Sequence, residues 1–250
     1  MKSYKILSVK VNSLNYDEII NFITDTISNN KKGRIATVNN EFIVEAQKNR
    51  EFAASLNNSS LCLPDSTGIV WAIRKLYKAK IIKTPGADLF EKICYLSNKK
   101  KFRIFLLGGR EGVGSAAKEK IQKKYPGLRV AGAIDGININ PLTGNEDIVN
   151  SINRANADIV FVALGAPKQE LWTTNNMGKV NAHIFMGVGG TLDFISGKTR
   201  RAPSWMRKAN LEWLFRLFVE PKRIGRIFIA LIVFPYLVLV KNTELTSKNS

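Results

Sequence analysis

The stretch DIVFVALGAP, residues 158–167, is apolar at every position from Ile159 to Leu164 and then breaks at Gly165. A strand without polar alternation is covered on both faces, and that condition belongs to parallel sheets flanked by helices. NAHIFMGVGG (181–190) repeats the pattern, and FRIFLLGG (102–109) is a third strand that stops at paired glycines. Between such runs lie helical stripes. NYDEIINFITDTISNN (15–30) places Ile19, Ile20, Phe22, Ile23 and Ile27 at helical spacing, with Asp17 and Glu18 in its first turn. Further helices are expected over 66–77, 87–100, 111–126, 145–157 and 168–179, and one continuous helix over 41–59. Strands are expected over 4–14, 33–40, 60–64 and 128–136. The alternation predicts an α/β fold, a mostly parallel sheet with helices on both faces, over residues 1–195. Ligands of such folds sit beyond the carboxyl ends of the strands.

After residue 195 the character changes. Residues 196–226 carry nine Lys or Arg against two Glu, and residues 227–240, IFIALIVFPYLVLV, are uncharged with Pro235 inside. Fourteen residues fall short of the roughly 20 a spanning helix needs. Basic residues and Trp205 and Trp213 beside an apolar helix suit a segment lying in a headgroup region, so 196–240 reads as a membrane-associating appendage. The competing reading is a helix packed on the core or in a homo-oligomer interface. Residues 241–250 read as a loose tail.

The net charge of +18 calls for an anionic partner. No zinc-finger spacing, aromatic RNA-binding box or heptad-bearing basic region is present, which argues against nucleic acid. Cys62 and Cys94 are isolated and read as reduced core residues. His183 is the only histidine, which leaves no room for a Ser-His-Asp triad or a His-rich metal site. The first residues lack a continuous apolar stretch, so a cytoplasmic location is expected.

Polar residues and glycines gather at the expected strand ends: Thr37, Asn39 and Asn40; Asp65; Gly108 and Gly109; Asp135 and Gly136; Gln169; and Gly187, Gly189 and Gly190. Glycines there let backbone N–H groups approach a phosphate. GGREGVG is neither G-x-G-x-x-G nor a P-loop, so neither a dinucleotide nor any other cofactor is implied. Asp65 has two readings. It can cap the helix that begins near Ser66, or serve as a general base at a pocket mouth, its pKa raised by the preceding apolar run. No D-x-D pair exists to hold a metal on a diphosphate, so Arg, Lys and backbone N–H groups would have to stabilise a leaving diphosphate.

In order along the chain, TVNNEFIVEAQKN, LPDSTG, GADLFEKI, FLLGGREGVG, VFVALGAPKQELW and GVGGTLDFISGKTRRAPSWMRKANLEWLFRLFVEPKR resemble the WecG/TagA/CpsF glycosyltransferases over roughly residues 4 to 240. The likeness is strongest to the N-acetylmannosaminyltransferases of wall teichoic acid assembly. The resemblance implies an inverting, metal-independent enzyme with a Rossmann-like domain that moves ManNAc from UDP-ManNAc to the 4-hydroxyl of GlcNAc on undecaprenyl diphosphate, attached peripherally to the anionic cytoplasmic face of the membrane. It assigns Asp65 as catalytic base, Thr37, Asn39 and Gln169 to the pocket, and Arg216, Arg223 and Arg226 of the appendage to the diphosphate. Where the family commonly has Arg before its V-x-G-x-D step, this chain has Lys83, which keeps the charge and loses the bidentate fork. UDP-ManNAcA or UDP-glucose as donor, a nicotinamide-dependent oxidoreductase and a non-enzymatic membrane adaptor are the alternatives.

Overall fold

The computed structural model describes residues 1–221 and 224–247; Arg223, one of the expected appendage arginines, lies outside them. Its centre is a six-stranded, all-parallel sheet in the order β4-β3-β8-β7-β5-β6. The strands are β3 (Gly33–Val38), β4 (Leu61–Pro64), β5 (Arg103–Gly108), β6 (Arg129–Ile134), β7 (Ile159–Ala163) and β8 (Ile184–Gly187). The apolar runs do what their composition requires. In β7, Ile159 and Phe161 face one helical layer while Val160 and Val162 face the other. β5 repeats this, with Ile104 and Leu106 on one side and Phe105 and Leu107 on the other.

The first layer holds α1 (Tyr16–Ser28), α5 (Gly86–Lys100), α6 (Val113–Lys124) and α9 (Thr191–Ser196). The second holds α2 (Asn40–Ala46), α3 (Arg50–Asn57) and α4 (Thr67–Tyr77) beside β3 and β4, and α7 (Glu146–Arg154) and α8 (Lys168–Asn176) beside β5 and β7. Neighbouring strands β3 and β8 therefore send their connections to opposite faces, β3 into α2 and β8 into α9. This switch opens a crevice at the carboxyl edge.

Two expected elements divide. Residues 4–14 form a hairpin, β1 (Lys2–Ile6) and β2 (Val9–Ser13), turning at Leu7 with φ of 51°. Its Asn12, 1% exposed, accepts from the Cys62 N–H at 2.7 Å and so covers the open edge of β4. The expected helix 41–59 breaks between α2 and α3, because the Asn49 side chain accepts from the Phe52 N–H at 2.9 Å and starts a new helix. His183 lies just before β8, at the amino end of the sheet and away from the crevice. Cys62 and Cys94 are buried and unbridged.

The appendage comprises α10 (Ser204–Lys208), α11 (Glu212–Val219), α12 (Ile224–Phe228), a π-helical turn over Ile229–Val233, and α13 (Phe234–Ser247). The apolar helix is longer than its uncharged core of fourteen residues. Ile224–Lys241, 18 residues, is long and apolar enough to cross a membrane by length and composition. Helix continues through Pro235 because the π turn precedes it: the wider i→i+5 turn takes up the missing N–H and the ring's clash with the previous turn. Phe234 and Val238 are fully buried in the α2–α4 layer, while Phe228, Ile232 and Tyr236 stay exposed. The helix thus packs one face on the domain and presents the other to the surroundings. It also runs through Ser247, into the stretch expected to be loose.

Phe161 sits at the centre of the sheet, 0% exposed, 4.4 Å from Phe90 between ring centroids. Phe161→Ala should cost about 3–5 kcal/mol by the cavity it leaves. Phe218→Ala, at a position 76% exposed, should cost under ~0.5 kcal/mol. Urea titration of the two variants checks the pair.

Candidate active site

A cavity of about 540 Å³ opens where the ends of β3 and β4 meet the appendage. Asp65 follows β4 directly, and its own N–H donates to the Val38 carbonyl of β3 at 2.9 Å. The Asp65 side chain does not cap α4. Ser66 does, its hydroxyl accepting from the Ile69 N–H at 3.4 Å. Asp65 Oδ1 instead accepts from the Gly86 N–H at 2.6 Å, leaving Oδ2 without a hydrogen bond among the described residues. Glycine is required at 86, since a Cβ there would lie 2.8 Å from Thr37 Oγ1. Thr37, buried, is thereby the support behind the Asp65–Gly86 pair rather than a cavity wall.

Burial pushes the Asp65 carboxyl up to about 6. The Gly86 hydrogen bond, Arg216 and Lys83 pull it down, and Glu212 pushes it further up. Four cations, Lys83, Arg207, Arg216 and Arg226, share the cavity with three acids, Glu41, Asp65 and Glu212. Arg216 donates to Glu212 at 3.0 Å and its guanidinium stands 4.9 Å from the Phe194 ring centroid. Arg226 donates to Glu41 at 2.5 Å, and Lys83 to Asn210 Oδ1 at 2.5 Å.

Asn40 ties these parts together. Its Oδ1 accepts from the Ser66 hydroxyl at 2.6 Å and its Nδ2 donates to the Ala230 carbonyl, in the π turn, at 2.8 Å. Gly68 makes room, since a Cβ there would lie 2.3 Å from the carboxamide. Its neighbour Asn39 caps α2, accepting from the Phe42 N–H at 3.1 Å, and also lines the cavity. A carboxylate with a raised pKa at a strand end is equipped to take a proton near neutral pH, and the cations beside it are suited to an anionic group.

Residues 4–248 match the glycosyl transferase WecG/TagA/CpsF family. The chain belongs to that family. Three relatives carry the name N-acetylglucosaminyldiphosphoundecaprenol N-acetyl-beta-D-mannosaminyltransferase. That of Bacillus subtilis (strain 168) is 35% identical over 90% of this chain and 87% of its own length. That of Staphylococcus aureus (strain MRSA252) is 32% identical over 77% and 74%. That of Bacillus spizizenii (strain ATCC 23059 / NRRL B-14472 / W23) is 31% identical over 86% and 85%. The chain is accordingly a glycosyltransferase.

Of the site residues read from the sequence of this family member, Asn39, Asp65, Lys83, Arg216 and Arg226 line one cavity. Of the rest, Thr37 stands behind the Asp65–Gly86 pair, Arg223 lies outside the described residues, and eight form two groups elsewhere along the carboxyl edge. Gly108, Gly109, Asp135 and Gly136 meet at the ends of β5 and β6, where Asp135 accepts from the Gly112 and Gly114 N–H groups at 2.8 and 3.1 Å. The amino end of α6, expected to be open to a phosphate, holds this carboxylate. Gln169, 3% exposed, uses both ends of its amide within the protein. It accepts from the Gly189 N–H at 3.0 Å and donates to the buried Glu170 at 2.7 Å, which fixes the loop over Gly187, Gly189 and Gly190. Burial pushes the Glu170 carboxyl up to about 7, against that amide's pull.

Sequence reasoning missed Glu41, Trp71, Arg207, Asn210 and Glu212 as cavity residues. Two of them had a local signal: Glu41 follows Asn39 and Asn40 in the first turn of α2, and Trp71 stands one helical turn after Thr67 on α4. Arg207, Asn210 and Glu212 converge only because the appendage folds back.

Asn40→Ala should leave the Ala230 carbonyl and the Ser66 hydroxyl without their partner, at a cost of about 1–3 kcal/mol. Limited proteolysis should then cut in α12 and α13 sooner than in wild type, while the α/β core resists as before. An unchanged cleavage pattern would mean that the carboxamide does not hold the appendage.

Proposed function

We propose that this chain transfers ManNAc from UDP-ManNAc to the 4-hydroxyl of GlcNAc on undecaprenyl diphosphate, with inversion and without a metal ion. The observation that carries the reading is the Asp65 carboxyl, pushed up to about 6 in a cavity that also gathers Lys83, Arg216 and Arg226. The names borne by the relatives support the choice of sugar and acceptor. Asp65 Oδ2 accepts the proton of the acceptor hydroxyl. The freed oxygen forms its bond to the anomeric carbon as the bond from that carbon to the UDP oxygen breaks. A single displacement inverts the configuration. The negative charge arriving on UDP is met by the cations, for which the diphosphate must displace Glu41 and Glu212. Lys83 supplies a point charge in place of a guanidinium fork.

In this reading residues 1–195 carry the sugar chemistry and 196–240 bring it to the anionic cytoplasmic face of the membrane. The exposed Trp205, Phe218, Phe228 and Ile232 beside the appendage's basic residues support that role. Full-length protein should sediment with vesicles rich in phosphatidylglycerol and lose much of that binding in 1 M salt, which screens surface charge. Equal binding to zwitterionic vesicles would remove the electrostatic part of the proposal.

UDP release from UDP-ManNAc, measured in EDTA with and without acceptor, tests the reaction. Wild type should release UDP only with acceptor. Asp65→Asn should lose about 10²-fold or more in kcat while still binding UDP. The same variant should be more stable than wild type by about 1–3 kcal/mol at pH 7.5 and not at pH 3. The sign follows from a folded pKa raised above the unfolded 3.8: ionisation opposes folding as pH rises through 4 to 6, and the neutral amide escapes that cost. An active, unstabilised Asp65→Asn enzyme would refute the assignment.

The pH profile supplies a further check. kcat/KM should fall about tenfold per pH unit below 6. Lys83→Ala should move this limb to higher pH and Glu212→Gln to lower pH, following the direction in which each charge shifts Asp65.

A further inference from the structure

Glu170 does not line the cavity, yet it is a buried acid joined to the carboxyl edge by a single side chain. Its Oε1 accepts from Gln169 Nε2 at 2.7 Å, and Gln169 Oε1 accepts from the Gly189 N–H at 3.0 Å. The groups at the two ends of that amide cannot exchange roles. A backbone N–H only donates and an ionised carboxylate only accepts, so together they select one orientation of the carboxamide. The amide is also pressed against the end of β8, where a Cβ at Gly187 would lie 2.6 Å from Gln169 Nε2 and 2.7 Å from Glu170 Oε1.

The loop held in this way stands at the crevice. β8 pairs with β3 in the register Ile35↔Met186, and two more residues bring Val188 beside Thr37, the support of the Asp65–Gly86 pair. The Val188 N–H still donates to the Val162 carbonyl of β7 at 2.9 Å, so the backbone leaves the sheet only at Gly189.

Burial raises the Glu170 carboxyl to about 7, and the Gln169 hydrogen bond and Arg34 pull against it. Arg34, buried on β3, spends its guanidinium on Ser55, Ser59 and Thr174. The Ser55 and Thr174 hydroxyls in turn donate to the Glu170 carbonyl at 3.1 and 2.8 Å. Cys62 of β4, the other titratable group within reach, is pushed up to about 11 by burial and stays neutral. Glu170 Oε2 has no partner among the described residues. In the neutral acid the proton lies on Oε1, against Gln169 Nε2, or on Oε2, where it meets no acceptor. The ionised form alone fits the network.

We propose that Glu170 is a positioning residue, which through Gln169 fixes the β8–α9 loop in the form that receives the nucleotide of the donor. The inference rests on the donor reading above and adds a part to it. Gln169, which the family resemblance assigns to the pocket, is the arm between Glu170 and the loop.

The backbone amide resonance of Gly189, followed in free full-length protein, reads the loop directly. In wild type it should shift with a midpoint near pH 7. Glu170→Gln should abolish the shift, because its oxygen still accepts from Gln169 and does not titrate. Asp65→Asn should keep it, since Asp65 has no bond to this network. A shift retained in Glu170→Gln, or a signal that stays flat between about pH 5 and pH 9, overturns the proposal.

Calorimetric titration with UDP alone, at about pH 8 where the carboxylate is ionised, supplies the second readout. Glu170→Met keeps the length and removes the acceptor, and should weaken UDP binding on the order of tenfold, the worth of one hydrogen bond. Glu170→Gln should stay within about threefold of wild type. A merely structural role would lower the melting temperature of both variants without this split. Should Glu170→Met fail to fold, the Gly189 resonance in Glu170→Gln decides alone. UDP affinity unchanged in a folded Glu170→Met, or absent in wild type, overturns the proposal.

UDP release from UDP-ManNAc with acceptor judges the transferase reading separately. Acceptor-dependent release by wild type, with UDP affinity unchanged in Glu170→Met, would refute the positioning role and leave the transferase standing. No release, with the Gly189 shift and the affinity split both as expected, would refute the transferase reading and support the role of Glu170.

Discussion

The carboxamide of Asn40 accepts from the Ser66 hydroxyl and donates to the Ala230 carbonyl. One side chain at the start of α2 thus ties together the cap of α4 and the π turn of the C-terminal helix. Asp65 precedes Ser66 directly, and Arg226 lies one turn before Ala230. The candidate base and a candidate phosphate ligand are therefore set by a shared anchor, though 161 residues separate them in sequence. Asn40 is 8% exposed and lies against Gly68, where any Cβ would collide with its carboxamide. A buried amide with both its ends engaged is costly to disrupt, so the appendage is held in one place relative to the sheet.

That placement determines the electrostatics. α11 brings Arg216 and Glu212 to Asp65 as opposing neighbours, the first lowering its pKa and the second raising it. The arginines are in turn neutralised by acids of the cavity, Arg216 by Glu212 and Arg226 by Glu41. Partly exposed pairs of this kind contribute little to stability. Their effect is to keep several positive charges close together without mutual repulsion until a stronger anion arrives. A diphosphate, with more charge and more acceptor oxygens than a carboxylate, is such an anion.

The sheet was legible because double-sided burial leaves a direct trace, an uninterrupted apolar run ended by glycine. The same trait hid two breaks. α2 and α3 keep their apolar positions in phase, so Asn49 passed for a helix-interior residue although it caps the second helix. In 4–14 the alternation shifts by only one residue at Leu7, from Tyr4 and Ile6 to Val9 and Val11, and Leu7 is not a residue that signals a turn. At the site, Asp65 was legible as chemistry and ambiguous as structure. The capping role fell to Ser66 because Ser66, not Asp65, is the last non-helical residue before α4. Arg207, Asn210 and Glu212 left no local trace, since their place in the cavity depends on how α10 to α13 return to the carboxyl edge, whereas Glu41 follows Asn39 and Asn40 directly in the first turn of α2.

The C-terminal helix satisfies two demands that an ordinary amphipathic helix would not. Phe234 and Val238 are four residues apart and point into the α2–α4 core, which fixes the rotation of α13. Had α12 continued into α13 without interruption, the added residue of the π turn would be absent and the faces of the two helices would shift by about 100° relative to each other. Arg226 and Ile227 would then turn away from the cavity while Phe234 stayed in the core. The π turn lets one helix hold Phe234 in the core, Arg226 and Leu231 at the cavity, and Phe228 and Ile232 outward. It also frees backbone geometry at Ala230 for the Asn40 hydrogen bond and accommodates Pro235. A sequence that looks like a plain hydrophobic run is therefore divided by position into core, cavity and outer surface, and a single irregular turn sets that division.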